Sequence, residues 1–293
     1  MILPSPKSVF LFLYAISLLV AWHPLRHVLW LATHDDGYTH LLLILPVAIA
    51  LIGIEWRSLG SLPTPGLRAG LPLLSLSVVV AAFTRWEVGP LPDERLAGYI
   101  LALVIWWAGS FVLCFGTRIS RSLLFPLGFL LLLVPLPRFL LNDLVAGLQR
   151  GSALAAHGLF WAAGVPVVQD GFLLSIPGLT VEVAQECSSI RSSSMLLVTT
   201  MLLAQLLLRT PWRKWLVIVL AIPVSVAKNG LRIFTIAMLG TRVDESYLNG
   251  RLHHQGGVVF FAIGLSGIFV ALWILHRGER GYLSKPIPEA SAS

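Results

Sequence analysis

The chain alternates long apolar runs with short polar or basic breaks, and several runs approach the roughly 20 residues that cross a hydrocarbon core of about 30 Å. This pattern predicts membrane-spanning helices at 8–25, 40–56, 69–85, 97–116, 121–137, 188–208, 213–238 and 255–275. Pro72 and Pro223 interrupt two of them, which helix bundles tolerate because neighbouring helices satisfy the freed backbone groups. The first run follows Lys7 and resembles a signal peptide, but no small-x-small site closes it cleanly, so an uncleaved first span is expected.

The segment between Arg138 and Glu186 does not fit this pattern. Leu140 to Trp161 is amphipathic, with apolar and polar residues too mixed for a simple span. After Gly164 the chain runs through Phe172–Ile176, the dipeptide Pro177-Gly178, and Leu179–Val183. Apolar and β-branched residues on both sides of a Pro-Gly turn predict a short β-hairpin near 166–184. The expected fold class is therefore all-α, a polytopic bundle of about eight spans with one small extracytoplasmic hairpin. Residues 1–283 form one transmembrane domain in this reading, and 284–293 a disordered cytoplasmic tail. No internal repeat is evident, which argues against an inverted-repeat transporter.

Composition agrees with a lipid environment: hydrophobic residues make up 56% of the 293, charged residues only 12%, and mean hydropathy is +0.83. So few polar side chains cannot cover a water-facing globule. The net charge of +7 does not point to nucleic acid, because the basic residues punctuate apolar runs instead of forming a stripe. With eight spans, Lys7, Arg57, Arg68, Arg118, Arg121, Arg209, Arg213, Lys214, Arg277, Arg280 and Lys285 share one face with both termini. Most acids fall on the other, so the positive-inside rule makes the first face cytoplasmic. The expected location is the cytoplasmic (inner) membrane. Cys114 and Cys187 fall at opposite membrane levels, too far apart for a disulfide.

Reactive side chains gather at the predicted outer ends of the last three spans. Cys187 precedes Ser188-Ser189-Ile190-Arg191, and on a helix Arg191 would share the thiol's face. A cation and a helix N-terminus both favour the thiolate; a buried structural cysteine is the competing reading. Lys228-Asn229-Gly230-Leu231-Arg232 lies within the seventh run. An intramembrane arginine costs at least about 2.5–3.5 kcal/mol on insertion scales and ordinarily faces a bundle interior. For Lys228, snorkelling to the interface is the simpler expectation. His253 and His254 open the eighth run and bring a proton-transfer group to the same level. Asp35-Asp36-Gly37-Tyr38-Thr39-His40 lacks a defined metal-ligand spacing, and capping is expected there.

In order along the chain, Glu186-Cys187-Ser188-Ser189-Ile190-Arg191-Ser192, Asn229-Gly230-Leu231-Arg232-Ile233, and His253 with Gly257 four residues later resemble the exosortase/archaeosortase family. Tyr38-Thr39-His40 and Phe125-Pro126…Pro135-Leu136-Pro137 resemble further elements of that family, and the likeness covers about residues 9–275. It implies a membrane cysteine transpeptidase/protease acting on exported proteins. Such substrates carry a C-terminal sorting signal: a short motif (Pro-Glu-Pro in many bacterial substrates), a transmembrane helix and a basic tail. It also implies Cys187 as nucleophile, Arg232 as the arginine of the second motif and His253 as third member, with His254 as the alternative. Ser189 stands where the family's usual Cys-Ser-Gly has glycine, and Val258 where an aromatic follows the glycine of the third motif.

The mechanism expected is acyl transfer at the outer face of the membrane. A Cys187 thioester would be resolved by an unidentified acceptor or by water, with His253 relaying protons and Arg232 stabilising the oxyanion. Arg191, Asn229, Glu186, Ser188 and His40 are expected to support the site or contact substrate. No cofactor or metal is required. The alternative is a non-enzymatic transporter or assembly factor for an anionic solute or exopolysaccharide, built on Arg232 and His253.

Overall fold

Helix formation follows the apolar runs, but the breaks between helices depart from the expected spans. The computed structural model describes residues 5–57, 64–86, 92–183, 190–244, 246–249 and 257–283. The chain divides into two compact units, residues 1–142 and 143–293.

In the first unit, α1 (Pro6–Val20) and α2 (Trp22–His34) meet at Ala21 with a bend of 73°. The expected span 8–25 is therefore interrupted. Pro24, which lacks a backbone donor, fits only in the first turn of a new helix. Asp35 Oδ1 accepts from the Gly37 amide at 2.8 Å and caps the 3-10 turn Asp36–Tyr38, the capping role read from the sequence. α3 (Leu41–Trp56), α4 (Leu67–Trp86) and α5 (Pro92–Ser122) follow. α4 and α5 pack along their length, and α5 breaks at Gly116, whose φ of 85° is left-handed. The expected fourth span ended at that residue, and only glycine adopts this conformation at little cost.

Phe111, Cys114, Phe115, Ile119, Leu123 and Leu127 form a core against Val9, Phe10, Leu13, Ile52 and Trp56; Cys114 is a free, buried thiol. Some polar side chains of this unit pair inside it, as an apolar solvent favours. Trp107 Nε1 donates to Ser17 Oγ at 2.9 Å, and Ser77 Oγ to the Ala102 carbonyl at 2.6 Å. The stretch 121–137 is not one span. It forms α6 (Leu124–Phe129), a 3-10 turn at Leu130–Leu133, and extended backbone at Val134, because Pro135 and Pro137 cannot supply the donors a continuing helix needs.

The stretch read as amphipathic forms α7 (Arg138–Ala162), 25 residues long. Val145, Gln149, Ser152, Ala153, Ala156 and Phe160 are its buried face, a spacing of three and four residues. Three short strands follow in the order β1-β2-β3: β1 (Val168–Asp170), β2 (Leu173–Ile176) and β3 (Leu179–Glu182), all antiparallel. The expected hairpin is present as β2–β3, turning at Pro177-Gly178, and β1 adds a strand through Gln169 opposite Leu174. Leu174 and Ile176 point to the core and Leu173 and Ser175 away. The buried pair packs with Ala153, Ala156, Phe160, Val183, Ile233 and Ala237.

α8 (Ile190–Leu207), α9 (Pro211–Arg242), the short α10 (Ser246–Asn249) and α11 (Gly257–Leu283) complete the second unit. Leu196, Ala204, Leu208, Val217, Ala221, Ile268 and Leu272 make the core shared by α8, α9 and α11.

Five helices among the described residues are long and apolar enough to cross a membrane singly: Leu67–Trp86, Arg95–Ser122, Ile190–Leu207, Pro211–Arg242 and Gly257–Glu279. Counting α1 with α2, and Leu124–Leu133 with α7, as one broken span each gives seven, against the eight expected. α3, at 16 residues, rises only about 24 Å.

Candidate functional site

The geometry that positions the candidate residues is an antiparallel register among three helices. Lys214 Nζ donates to Gln205 Oε1 at 2.7 Å, Ser225 Oγ to Ser193 Oγ at 2.7 Å, and Lys228 Nζ to Ser192 Oγ at 2.6 Å. Each advance along α9 is thus matched by a retreat along α8. The same holds against α11. Arg213 lies beside Gly278, Val224 beside Gly267 and Lys228 beside Gly264.

One end of this trio is tied by a carboxylate. Glu279, 6% exposed, accepts from the Arg209 amide at 3.0 Å and the Thr210 amide at 2.8 Å. These are donors at the start of α9, where the helix dipole favours a negative charge. Arg213 donates to the Leu275 carbonyl at 2.6 Å. Arg277 stacks on Trp273 with its guanidinium carbon 4.1 Å from the ring centroid.

The chemistry predicted from sequence lies toward the other end. Arg232 is half-buried on α9, one turn beyond Lys228, and Arg191 is exposed in the first turn of α8. Asn229 is 2% exposed; its Nδ2 donates to Ser152 Oγ on α7 at 3.0 Å, while its Oδ1 is buried with no partner. A buried amide oxygen left unsatisfied costs about 1–3 kcal/mol, so its retention marks the position as a functional candidate. Gly230 allows α7 and α9 to meet: a Cβ there would stand 2.5 Å from the Ala155 Cβ and 3.0 Å from the Ala156 amide nitrogen.

Lys228 departs from the snorkelling expectation. It is 4% exposed and donates to Ser192 inside the bundle. Its stem follows the face of α11 at Gly264, where a Cβ would stand 3.0 Å from the lysine Cδ. The glycine leaves room for a charge to enter the interior.

Cys187, Glu186 and Ser188, and the histidines His253 and His254, lie outside the described residues. Both flanks of the cysteine segment are anchored. On the near side, Val183 is 1% exposed, its amide donates to the Phe172 carbonyl at 2.9 Å, and its own carbonyl accepts from Gln149 Nε2 at 2.8 Å. On the far side, Ser192 and Ser193 are held by Lys228 and Ser225. The histidine segment runs from α10 to the start of α11. Before α10, the exposed Asp244 accepts from the Ser246 amide at 2.8 Å, which holds its carboxyl below the usual carboxylate range.

Residues 30–270 match the model of the transmembrane exosortase family. The chain belongs to that family. No curated protein and no solved structure matches it. As an exosortase it is a multi-pass membrane protein of the protein-sorting transpeptidase/protease type.

Among the exosortase's described candidates, Arg232, Asn229 and Arg191 belong to the second unit and His40 to the first. His40 precedes α3, and its Nδ1 is buried without a partner; the neighbouring Tyr38 hydroxyl donates to the Leu136 carbonyl at 3.1 Å. Sequence reasoning missed Gln149 and Ser152. The signal available was their place on the apolar stripe of α7, where a polar side chain needs a buried partner. Among the described residues no group of three His, Cys, Asp or Glu side chains could hold a metal.

Proposed function

We propose that this exosortase is a cysteine enzyme that cleaves C-terminal sorting signals from exported proteins at the outer face of the cytoplasmic membrane and transfers the new C-terminus to an acceptor. The observation that carries the reading is the helix register. Contacts pair Lys214 with Gln205, Ser225 with Ser193 and Lys228 with Ser192. Continuing one further turn along α9 reaches Arg232, and α8 begins in the same direction at Ile190, three residues after Cys187 in the sequence. Against α11, the series from Gly278 through Gly267 to Gly264 runs toward the start of that helix at Gly257, which follows His253 in the sequence. A shared level for thiol, guanidinium and imidazole is what the mechanism requires.

The chemistry then follows from the residue types. His253, with His254 as the alternative, takes the Cys187 proton as the sulfur attacks the scissile carbonyl. Arg232 stabilises the oxyanion of the tetrahedral intermediate. Collapse breaks the C–N bond, the imidazolium returns its proton to the leaving amine, and a thioester remains on Cys187. A nucleophilic acceptor, or water, then attacks the thioester and releases the thiolate. Arg191, Glu186 and Ser188 support the thiol segment, and Asn229 the adjoining wall. The recognised tail carries a short motif, an apolar helix and basic residues that would remain at the Arg209–Arg277 end, the cytoplasmic face in this orientation.

The test is co-expression with an exported protein bearing such a tail, following its size shift. Cys187→Ala and Arg232→Ala abolish processing, and one of His253→Ala and His254→Ala does so. Mass spectrometry of the new C-terminus reads an adduct for transfer and a free carboxylate for hydrolysis. Wild-type processing by Cys187→Ala refutes the cysteine mechanism, and a non-enzymatic role would then have to account for Arg232.

A further inference from the structure

Lys228 is one of several side chains that carry polar links from α9 into its neighbours, and the one whose burial is most demanding. Ser225 reaches Ser193 on α8 at 2.7 Å, Asn229 reaches Ser152 on α7 at 3.0 Å, and Lys228 reaches Ser192 on α8 at 2.6 Å. An ionisable side chain in a membrane segment is expensive and ordinarily functional. Lys228 is 4% exposed, and its stem is accommodated at Gly264. Its bond is made to the third residue of α8, the helix that follows the Cys187 segment, and from a position one turn before Arg232. A serine–serine contact would suffice to pack the two helices, as Ser225–Ser193 demonstrates one turn away.

We propose that Lys228 is a positioning residue of the site: by holding Ser192, it fixes the start of α8, and with it the segment carrying Cys187, against the face of α9 that carries Arg232. This rests on the cysteine-enzyme reading above. A long, charged donor anchored on a rigid helix sets the separation between nucleophile and oxyanion group more tightly than apolar packing does. A displacement of about 1 Å at such a pair costs on the order of 10²-fold in rate. Substrate contacts made elsewhere are unaffected, so the loss falls on kcat.

The experiment compares wild type with Lys228→Met, Ser192→Ala, Ser192→Thr, Gly264→Ala and Cys187→Ala in native membranes, measuring kcat and KM for tail cleavage and the melting temperature of each protein. Lys228→Met keeps the stem and removes a buried charge, which leaves melting unchanged or raises it, while kcat falls on the order of 10²-fold and KM holds. Ser192→Ala behaves alike, the double variant is no worse than either single one, and Ser192→Thr, which keeps the hydroxyl, restores activity. Gly264→Ala crowds the lysine stem and gives a smaller loss of kcat. Where Lys228→Met fails to accumulate, the Ala and Thr variants of Ser192 carry the comparison. Wild-type kcat in Lys228→Met or in Ser192→Ala overturns the proposal, as does a loss that merely follows the melting temperature. If Cys187→Ala is inactive in the same assay, such a result removes the positioning role alone. If Cys187→Ala processes normally, the cysteine reading and this proposal fall together.

Discussion

Replacing Gly230 by alanine sets two effects of opposite sign against each other on α9. Helix propensity favours alanine over glycine by about 1 kcal/mol in a helix interior. Against that, the new Cβ would stand 2.5 Å from the Ala155 Cβ and 3.0 Å from the Ala156 amide nitrogen. Carbon pairs are comfortable at about 3.5–4.0 Å, so α7 and α9 must separate by roughly 1 Å, and neither contact atom is the end of a flexible chain. Overpacking of this kind costs about 1–3 kcal/mol.

The separation also acts on the neighbouring Asn229–Ser152 bond, now 3.0 Å. Lengthened by that amount it no longer counts as a hydrogen bond, and it leaves buried polar atoms without partners at about 1–3 kcal/mol. The net expectation is a loss of roughly 1–5 kcal/mol once the propensity gain is subtracted. The assay is thermal unfolding of purified protein in one detergent, read by intrinsic fluorescence, with the tail-cleavage assay alongside. Gly230→Ala melts lower than wild type and cleaves more slowly. A melting temperature equal to or above wild type means that propensity wins, and it would falsify the close α7–α9 contact together with the role given to Ser152.

Two further outcomes follow from single side chains. Gln149→Leu keeps the volume but leaves the Val183 carbonyl without its 2.8 Å donor; hydrogen exchange over 172–183 speeds up and cleavage slows, and unchanged exchange there counts against an anchored entry to the Cys187 segment. Glu279→Gln replaces a carboxylate that accepts from the Arg209 and Thr210 amides, so the protein loses about 1–2 kcal/mol of stability and melts lower with the cleavage KM unchanged; an unaltered melt refutes the clasp.

The parts of this fold that were legible in the sequence are those that lipid alone dictates. Length and apolarity gave helices at 69–85, 97–116, 213–238 and 255–275, close to α4, the straight part of α5, α9 and α11. Legibility fails where proline or mixed polarity decides. Pro24 starts a new helix beyond Ala21, Pro135 and Pro137 halt a run that counts as apolar enough, and Gln149 and Ser152 on α7 take partners that lie far along the chain. For the candidate site, residue chemistry singled out Arg232 and the family resemblance added Asn229, while Lys228 is buried where snorkelling was expected. A sequence shows that a lysine sits within an apolar run; it does not show that a serine on the next helix and a glycine on a third make room for it.

The link between α8 and α9 is only Leu208, Arg209 and Thr210, and it acts as a ruler. Because the paired residues move in opposite directions along the two helices, a short link keeps them in step, and one residue inserted within α8 between Ser193 and Gln205 would slide its far end by about 1.5 Å and turn it by roughly 100° relative to α9. Ser192 would then leave Lys228, Ser193 would leave Ser225, and the segment ahead of α8 would face a different neighbour. The lengths of α8 and α9 between these contacts are therefore fixed by the register. Variation among chains built on this register should consist of substitutions within these helices and at 208–210, without insertions between the paired residues.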